Sequence, residues 1–312
     1  MTAVRPFRFG VQILTPAAVP GWLDRARAAE SLGYSVVSVP DHLFDQMSPM
    51  PALGAIAAAT TTIRLGTMVL ANDFRNPVLT ARDAATVDVL SGGRLELGLG
   101  AGWTRSDYRQ LGLDYDAPGI RIERLEEAIG IMIELWQGGP VTHSGTHYRI
   151  EEAECQPLPL QRPRPPLVIG GGSRKILNLA GRHANLVNIH DNLSATQVDQ
   201  APPAKVTLSD VDKKIGWVRE GAGERFTSIE LSARILVVEV TDQPELPAAD
   251  FGSKRGLSTA DVLASPHLLL GSVEGIIEAL LERRQRFGFS HYVWNDSAME
   301  ILAPVVSRLS GR

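Results

Sequence analysis

The sequence predicts a single (β/α)8 barrel across residues 1–312. Short runs rich in β-branched residues alternate with longer segments of helical periodicity, which is the pattern of βαβ units and a parallel sheet. Eight such pairs can be placed along the chain. The length also suits this fold, because a barrel of this kind takes roughly 250 residues and accepts insertions.

The first half of the chain carries the clearer pattern. Strands are expected at 7–13, 35–39, 63–70 and 94–99, and helices at 22–32, 51–60, 77–90 and 121–136. Gly33 is placed to end the first helix, and Pro77 suits the first turn of the third. Apolar residues recur every three or four positions along the helix at 121–136, so one face of it is expected to be buried.

The second half completes the eight units and contains two irregular segments. Strands are expected at 167–169, 186–189, 229–240 and 290–294, and helices at 175–181, 209–220, 273–287 and 299–309. Segments 191–208 and 241–257 lack a clear period. We therefore expect both to be loop insertions.

Composition excludes several classes of protein. The net charge is −4 and the basic residues are scattered, so no nucleic-acid partner is expected. Cys155 is the only cysteine, which rules out an internal disulfide and a cysteine-rich metal site. His143, His147 and His183 lack carboxylates at ligand spacing, so no metal is expected. There is no long apolar run and no signal peptide pattern, so the chain is expected to be cytoplasmic with no membrane partner.

A histidine stands beside a carboxylate at the end of the second predicted strand. In a barrel, the carboxyl ends of the strands carry function. This rule selects Gln12, Asp41–His42, Ala71–Asn72, Ala101–Trp103, Gly170–Ser173, Asn188–His190 and Asn295–Asp296. A histidine there could donate or accept a proton near neutral pH. The alternative is that Asp41 caps a helix and His42 is simply exposed. Spacing alone leaves both readings open.

Two glycine-rich turns follow later strands. Glycines at 170–172 would let backbone N–H groups approach a phosphate, and the helix after Ser173 would favour an anion; the alternative is an ordinary turn with Ser173 as N-cap. The run at 98–102 lacks the last glycine of a dinucleotide fingerprint. It is interpreted instead as room for a flat ring with Trp103 as its wall, or as a turn beside a structural tryptophan. Arg121 could meet a phosphate, or could be solvated at a helix start.

Five motifs before residue 190 and one near the end are recognisable. They are VPDHLFD (39–45), IRLGTMVL (63–70), RNPVLTARDAATVDVLSGGRLELGLGAGW (75–103), RIERLEEAIGIMIELW (121–136), PPLVIGGGSRKILNLAGRHAN (165–185) and LGSVEGIIEALLERRQRFGFSHYVW (270–294). With these motifs the chain resembles the luciferase-like monooxygenase superfamily, and within it the coenzyme F420-dependent oxidoreductases. Residues 191–265 add nothing to the resemblance.

The resemblance implies a TIM barrel with insertions that is usually a homodimer. It also implies a non-prolyl cis peptide at Met68–Val69, in a bulge that lies with Ala71 beneath the central ring of the cofactor. Asp41 matches the position of a cofactor contact in the family. His42 matches a proton donor or substrate contact in some members.

The same resemblance implies further cofactor contacts. Those expected near the ring or its phosphate chain are Ala101, Gly102, Trp103 and Arg121, and those expected in a phosphate-binding turn are Gly170, Gly171, Gly172 and Ser173. The chain departs from the family's sugar-phosphate dehydrogenases, which carry an acidic proton acceptor where Trp103 stands and lysines that have no obvious counterpart here. A sugar-phosphate substrate is therefore not expected.

The resulting hypothesis is hydride transfer between C5 of F420 and a small organic substrate. His42 is the expected proton donor, and Asp41 is expected to orient it or to hold the cofactor. One alternative is an FMN-dependent monooxygenase on the same fold. The other is a cofactor-binding barrel without catalytic activity.

Overall fold

The computed structural model describes residues 5–190 and 208–312. In this part of the chain the strands are β1 (Arg8–Gln12), β2 (Val36–Val39), β3 (Arg64–Thr67), β4 (Leu70–Ala71), β5 (Leu95–Gly100), β6 (Val141–Ser144), β7 (Arg149–Ala153), β8 (Leu167–Gly171), β9 (Leu186–Ile189), β10 (Glu230–Arg234), β11 (Val237–Val240), β12 (Leu268–Gly271) and β13 (Phe289–Asn295). The predicted insertion at 191–208 lies outside the described residues except for its last position.

Helices alternate with these strands. They are α1 (Trp22–Ser31), α2 (Pro49–Ala59), α3 (Pro77–Leu90), α4 (Arg105–Leu111), α5 (Pro118–Leu135), α6 (Arg174–His183), α7 (Leu208–Ala222), α8 (Glu245–Ser253), α9 (Thr259–Ala264), α10 (Val273–Phe287) and α11 (Ala303–Leu309). None of the described helices is long and apolar enough to cross a membrane.

The parallel strands close into a barrel, which confirms the predicted fold. The pairing runs β1, β2, β3, β5, β8, β9, β10 and β13, and β13 returns to β1. Strand β4 continues β3 along β5, so the two together fill one of eight positions. The buried face of α5, which includes Leu125, Ile129 and Met132, is the stripe that the periodicity predicts.

The structure corrects two local predictions and adds one hairpin. The run 229–240 is two strands, because the chain leaves the barrel at Leu236, whose N–H bonds to His267 O at 2.8 Å, and β11 then pairs with β12. The predicted loop at 241–257 contains α8, which buries little more than Ala248 and Gly252 and so shows no apolar stripe. The hairpin of β6 and β7 was not predicted, since most of its residues are not buried.

Charged side chains fill the amino-terminal end of the barrel. Arg8 pairs with Glu96 and with Glu230 (2.7 Å), and Arg64 Nε lies 2.5 Å from Glu96. Burial alone would raise the pKa of Glu96, but the two arginines outweigh it and hold that pKa below its ordinary value. The buried carboxylates of Glu96 and Glu230 are therefore paired, as a low-dielectric interior requires.

A neutral histidine lies farther along the barrel interior. His291 is 1% exposed; its Nδ1 lies 2.8 Å from Ser232 Oγ, and its Nε2 has no partner among the described residues. Burial lowers the pKa of His291 from 6.5 to about 4. Since the unfolded chain binds a proton there at a higher pH than the folded protein, acid favours unfolding.

We expect the free energy of unfolding to fall as the pH is lowered from about 6.5 to about 4, by at most about 1.4 kcal/mol per pH unit for this one histidine. Urea unfolding across that window measures the slope. His291→Asn should make the slope shallower by about one proton. Ser232→Ala keeps the imidazole and should lower stability without flattening the slope. An unchanged slope in His291→Asn would contradict the assignment.

Candidate active site

The predicted site residues line one cavity at the carboxyl ends of the barrel strands. The empty space between its walls is about 1090 Å³, a figure that includes open solvent. The site residues selected from the sequence that line this cavity are Asp41, His42, Met68, Val69, Ala71, Ala101, Gly102, Trp103, Arg121, Gly170, Gly171, Gly172 and Ser173. Their individual roles toward a cofactor stay predictions.

His42 is oriented by a carboxylate that sequence reasoning missed. Its Nδ1 lies 2.8 Å from Oδ2 of Asp107, which is 1% exposed and stands on α4. The Asp107 Oδ1 also accepts from the Leu43 N–H at 3.4 Å. With Nδ1 engaged, Nε2 is the ring nitrogen left for a molecule in the cavity. Nothing in the local sequence pairs these residues, which lie 65 positions apart.

Two aromatic rings hold the imidazole from other directions. Phe44 stacks on His42 with ring centroids 5.0 Å apart, and Trp103 meets it edge to face at 5.6 Å. The Trp103 carbonyl accepts from Tyr115 OH at 2.8 Å. Trp103 therefore packs beside the proposed proton donor as well as lining the cavity.

Asp41 is engaged by the protein itself. Its carboxylate forms a two-pronged ion pair with Arg75, one of whose bonds is 2.8 Å, and Oδ2 accepts from the Ala71 N–H at 2.9 Å. It makes no hydrogen bond to His42 in the described structure. Asp41 thus fixes the chain at β4, and any cofactor contact would come in addition to this.

The third barrel strand is broken at Met68 and Val69. The peptide bond between them is cis, as the resemblance implied, and the Gln12 side chain donates to the Met68 carbonyl at 2.7 Å. A Cβ at Gly98 would overlap the Thr67 carbonyl. The glycine at 98, interpreted from the sequence as room for a ring, therefore makes room for the neighbouring strand.

Arg121 binds the loop before α4. Its guanidinium donates to the carbonyls of Asp116 (3.0 Å) and Gly102, and stacks 4.1 Å from the centroid of Tyr115. It is 2% exposed. Arg121 thus holds the loop that carries Gly102 and Trp103 in place. The sequence predicted a phosphate contact for Arg121 but not this structural role.

The turn at 170–173 leads into α6 with an unused hydroxyl. Ser173 occupies the N-cap position, but its side chain makes no capping bond. A Cβ at Gly171 would overlap the Ile176 side chain, so this glycine serves helix packing. The uncapped hydroxyl and the helix N-terminus together suit an anion.

Among the described residues, no group of three potential ligands could hold a metal ion. The cavity is also lined by Gln12 and His190, which the strand-end rule selects, and by Asp107 and Arg234, which sequence reasoning missed. Arg234 ends β10, and no motif in that strand distinguishes it from its neighbours. Only the closed barrel shows that its side chain reaches the cavity.

Comparisons with known proteins identify the family. The model of the family described as luciferase-like monooxygenase matches residues 2–201, which is more than half of the chain. The F420-dependent glucose-6-phosphate dehydrogenase of Microbacterium testaceum is 36% identical over 188 residues, covering 57% of this chain and 55% of the relative. The FMNH2-dependent dimethylsulfone monooxygenase of Pseudomonas putida is 31% identical over 128 residues, covering 41% of this chain and 35% of the relative.

The match to these curated relatives spans about half of their length or less. A solved structure, the coenzyme F420-dependent tetrahydromethanopterin reductase of Methanopyrus kandleri, has a TM-score of 0.75 at 20% identity and covers 98% of this chain and 100% of that one. That likeness shows a shared barrel. The family inferred from the sequence motifs is thereby confirmed: the chain belongs to the luciferase-like monooxygenase family.

Proposed function

We propose that the protein is an F420-dependent oxidoreductase that moves a hydride between C5 of the deazaflavin and a small organic substrate. The observation that carries the proposal is the His42–Asp107 pair, whose imidazole lines the cavity above the broken third strand. Relatives named F420-dependent glucose-6-phosphate dehydrogenase support the choice of cofactor.

The residues present fit such a cofactor. Met68 and Val69 lie in the cavity wall at the strand break, where a flat ring could rest, and Trp103 forms another part of that wall. The Ser173 hydroxyl and the N-terminus of α6 are free to receive a phosphate. When bound, the deazaflavin supplies the carbon that gives or takes the hydride.

The protein's own contribution is binding, orientation and a proton. Asp107 accepts a hydrogen bond from Nδ1 of His42, so Nε2 exchanges the proton with the substrate oxygen or carbon. Phe44 and Trp103 limit rotation of the ring and keep that nitrogen directed at one place. Preorganisation of this kind lowers the cost of reaching the transition state.

An FMN-dependent monooxygenase is the second candidate, favoured by the similarity to the dimethylsulfone monooxygenase. The same cavity could hold FMN, whose reduced form reacts with oxygen whereas a reduced deazaflavin reacts poorly. A sugar-phosphate substrate is not proposed, because Trp103 stands where the resemblance requires an acid. The cytoplasmic location and the homodimer stay predictions.

Titration of the purified protein with F420 and, separately, with FMN tests the proposal directly. We expect F420 to bind with a micromolar or lower Kd and FMN to bind more weakly, as measured by quenching of cofactor or tryptophan fluorescence. Tighter binding of FMN, with rapid oxygen consumption by the reduced complex, would favour the second candidate. If neither binds, the oxidoreductase proposal is wrong.

His42→Ala should leave F420 affinity nearly unchanged and lower turnover about 10²-fold or more, since loss of a general acid has effects of this size. Turnover is followed through F420 absorbance with a substrate found by screening alcohols and enones. Asp107→Asn should also lower turnover, because the imidazole of His42 remains but loses the carboxylate that orients it. Wild-type turnover in His42→Ala would remove this residue from the mechanism.

Ser173→Ala should weaken F420 binding about 10-fold without lowering thermal stability, because the hydroxyl has no bond within the described protein. Ser272→Ala is the matched control: this serine does cap its helix, accepting from the Gly275 N–H. Its loss should cost about 1 kcal/mol of stability and leave F420 affinity alone. Equal affinity in Ser173→Ala and wild type would argue against the phosphate turn.

Gly171→Val should reduce both F420 affinity and stability, because the new side chain would collide with Ile176. Fluorescence titration and thermal melting of one preparation separate the two effects. Unchanged F420 affinity would show that the turn does not contact the cofactor.

A further inference from the structure

The wall of the cavity far from His42 carries two basic side chains. Arg234 ends β10 and His190 follows β9, and both line the cavity. His42 follows β2, which lies four strand positions from β9 around the barrel. A molecule in the cavity therefore lies between the proposed proton donor and this basic pair.

Arg234 has only neutral partners. Its Nη1 donates to the Val293 carbonyl at 3.5 Å and its Nη2 donates to the Asn295 side chain. The charge of Asp296 acts to raise the pKa of Arg234. The Asp296 carboxylate, however, accepts hydrogen bonds from the Leu14 N–H at 3.1 Å and from the Thr15 hydroxyl. Within the described residues no carboxylate lies within ion-pair distance of Arg234, which is 8% exposed.

Further basic groups lie near the pair of Arg234 and His190. His267 Nδ1 lies 2.8 Å from the Arg234 carbonyl, and Lys214 donates to the His190 carbonyl at 2.7 Å. Burial lowers the pKa of Arg234 to about 10, and burial together with the neighbouring cations lowers the pKa of His190 to about 3. The arginine therefore remains charged at neutral pH beside a neutral imidazole.

This arrangement differs from the other end of the barrel. There, Arg8 and Arg64 share Glu96, so their charges are compensated within the protein. A buried guanidinium without such a partner is unfavourable for folding, and it marks a place where a ligand can supply the missing charge. The planar fork of arginine suits the two oxygens of a carboxylate or phosphate.

We propose that Arg234, with His190 beside it, binds an oxyanion of the substrate, so that the substrate is a small organic molecule carrying a carboxylate or a phosphate. The assignment to substrate rests on the proposed function. The cofactor's phosphate has a separate place, because the turn at Ser173 follows β8, two strand positions from β10. The anion would thus anchor one end of the substrate while the other end faces His42.

The test is isothermal titration of acetate and, in parallel, inorganic phosphate into two preparations, cofactor-free protein and protein saturated with F420. The F420-saturated protein should still bind one anion, since its phosphate turn is then occupied. Arg234→Gln should weaken that binding about 10-fold or more, and Arg234→Lys, which keeps the charge but loses the fork, should weaken it less. Comparing acetate with phosphate distinguishes the two oxyanion chemistries.

Arg283→Gln is the matched control. Arg283 is 7% exposed and donates to the Leu268 carbonyl at 3.1 Å, and its Nη1 has no partner among the described residues, but it does not line the cavity. The Arg283→Gln variant should bind anions with the same affinity as the wild type. Thermal melting of all variants checks that each is folded.

Equal anion affinity in Arg234→Gln, Arg234→Lys and wild type would overturn the proposal. So would loss of F420 affinity in Arg234→Gln, because the arginine would then hold the cofactor. If the wild type does not bind F420, the proposed function fails, while titration of the cofactor-free protein and its Ser173→Ala variant still decides whether Arg234 binds an anion. Retained anion binding in Ser173→Ala together with its loss in Arg234→Gln supports the proposal.

Discussion

The break in the third barrel strand is the constraint on which the rest of the site depends. Between β3 and β4 the chain leaves the regular ladder, and three separate elements hold the departure in place. Gln12 donates to the Met68 carbonyl, Asp41 accepts from the Ala71 N–H, and Gly98 leaves the space that the Thr67 carbonyl fills. Gln12 in β1, Asp41 just after β2 and Gly98 in β5 thus all accommodate this one irregularity.

Charged side chains have different kinds of partner at the two ends of the barrel. At the amino-terminal end, Glu96 and Glu230 compensate arginines, as suits the end of a barrel that serves stability. At the carboxyl end the carboxylates of Asp41 and Asp107 are already engaged, and Arg234 has only neutral partners among the described residues. An imidazole held by a carboxylate and a guanidinium in need of one therefore face the same cavity.

Periodicity predicted the eight units because each strand and helix buries a regular face against its neighbours. It failed where burial is sparse: α4 is seven residues long, and α8 buries few side chains, so neither has a stripe to detect. It also merged β10 with β11, since the apolar residues Ile235 and Leu236 join them without a turn signal and only the bond from Leu236 to His267 shows where the barrel strand ends. The family motifs, which are local, were sufficient for the position of the cis peptide at Met68–Val69.

The sequence by itself determined the barrel, the family, and the set of strand-end residues that meet in one cavity, because period and motif are properties of neighbouring positions. Tertiary structure alone decided what those residues touch. It placed Asp107 beside His42 and Arg75 against Asp41, and it occupied Arg121 with backbone carbonyls. The partners of His42 and Asp41 come from other β/α units, and only the packing of those units brings them within hydrogen-bond distance. Arg121 and Gly102 belong to one unit but lie 19 positions apart.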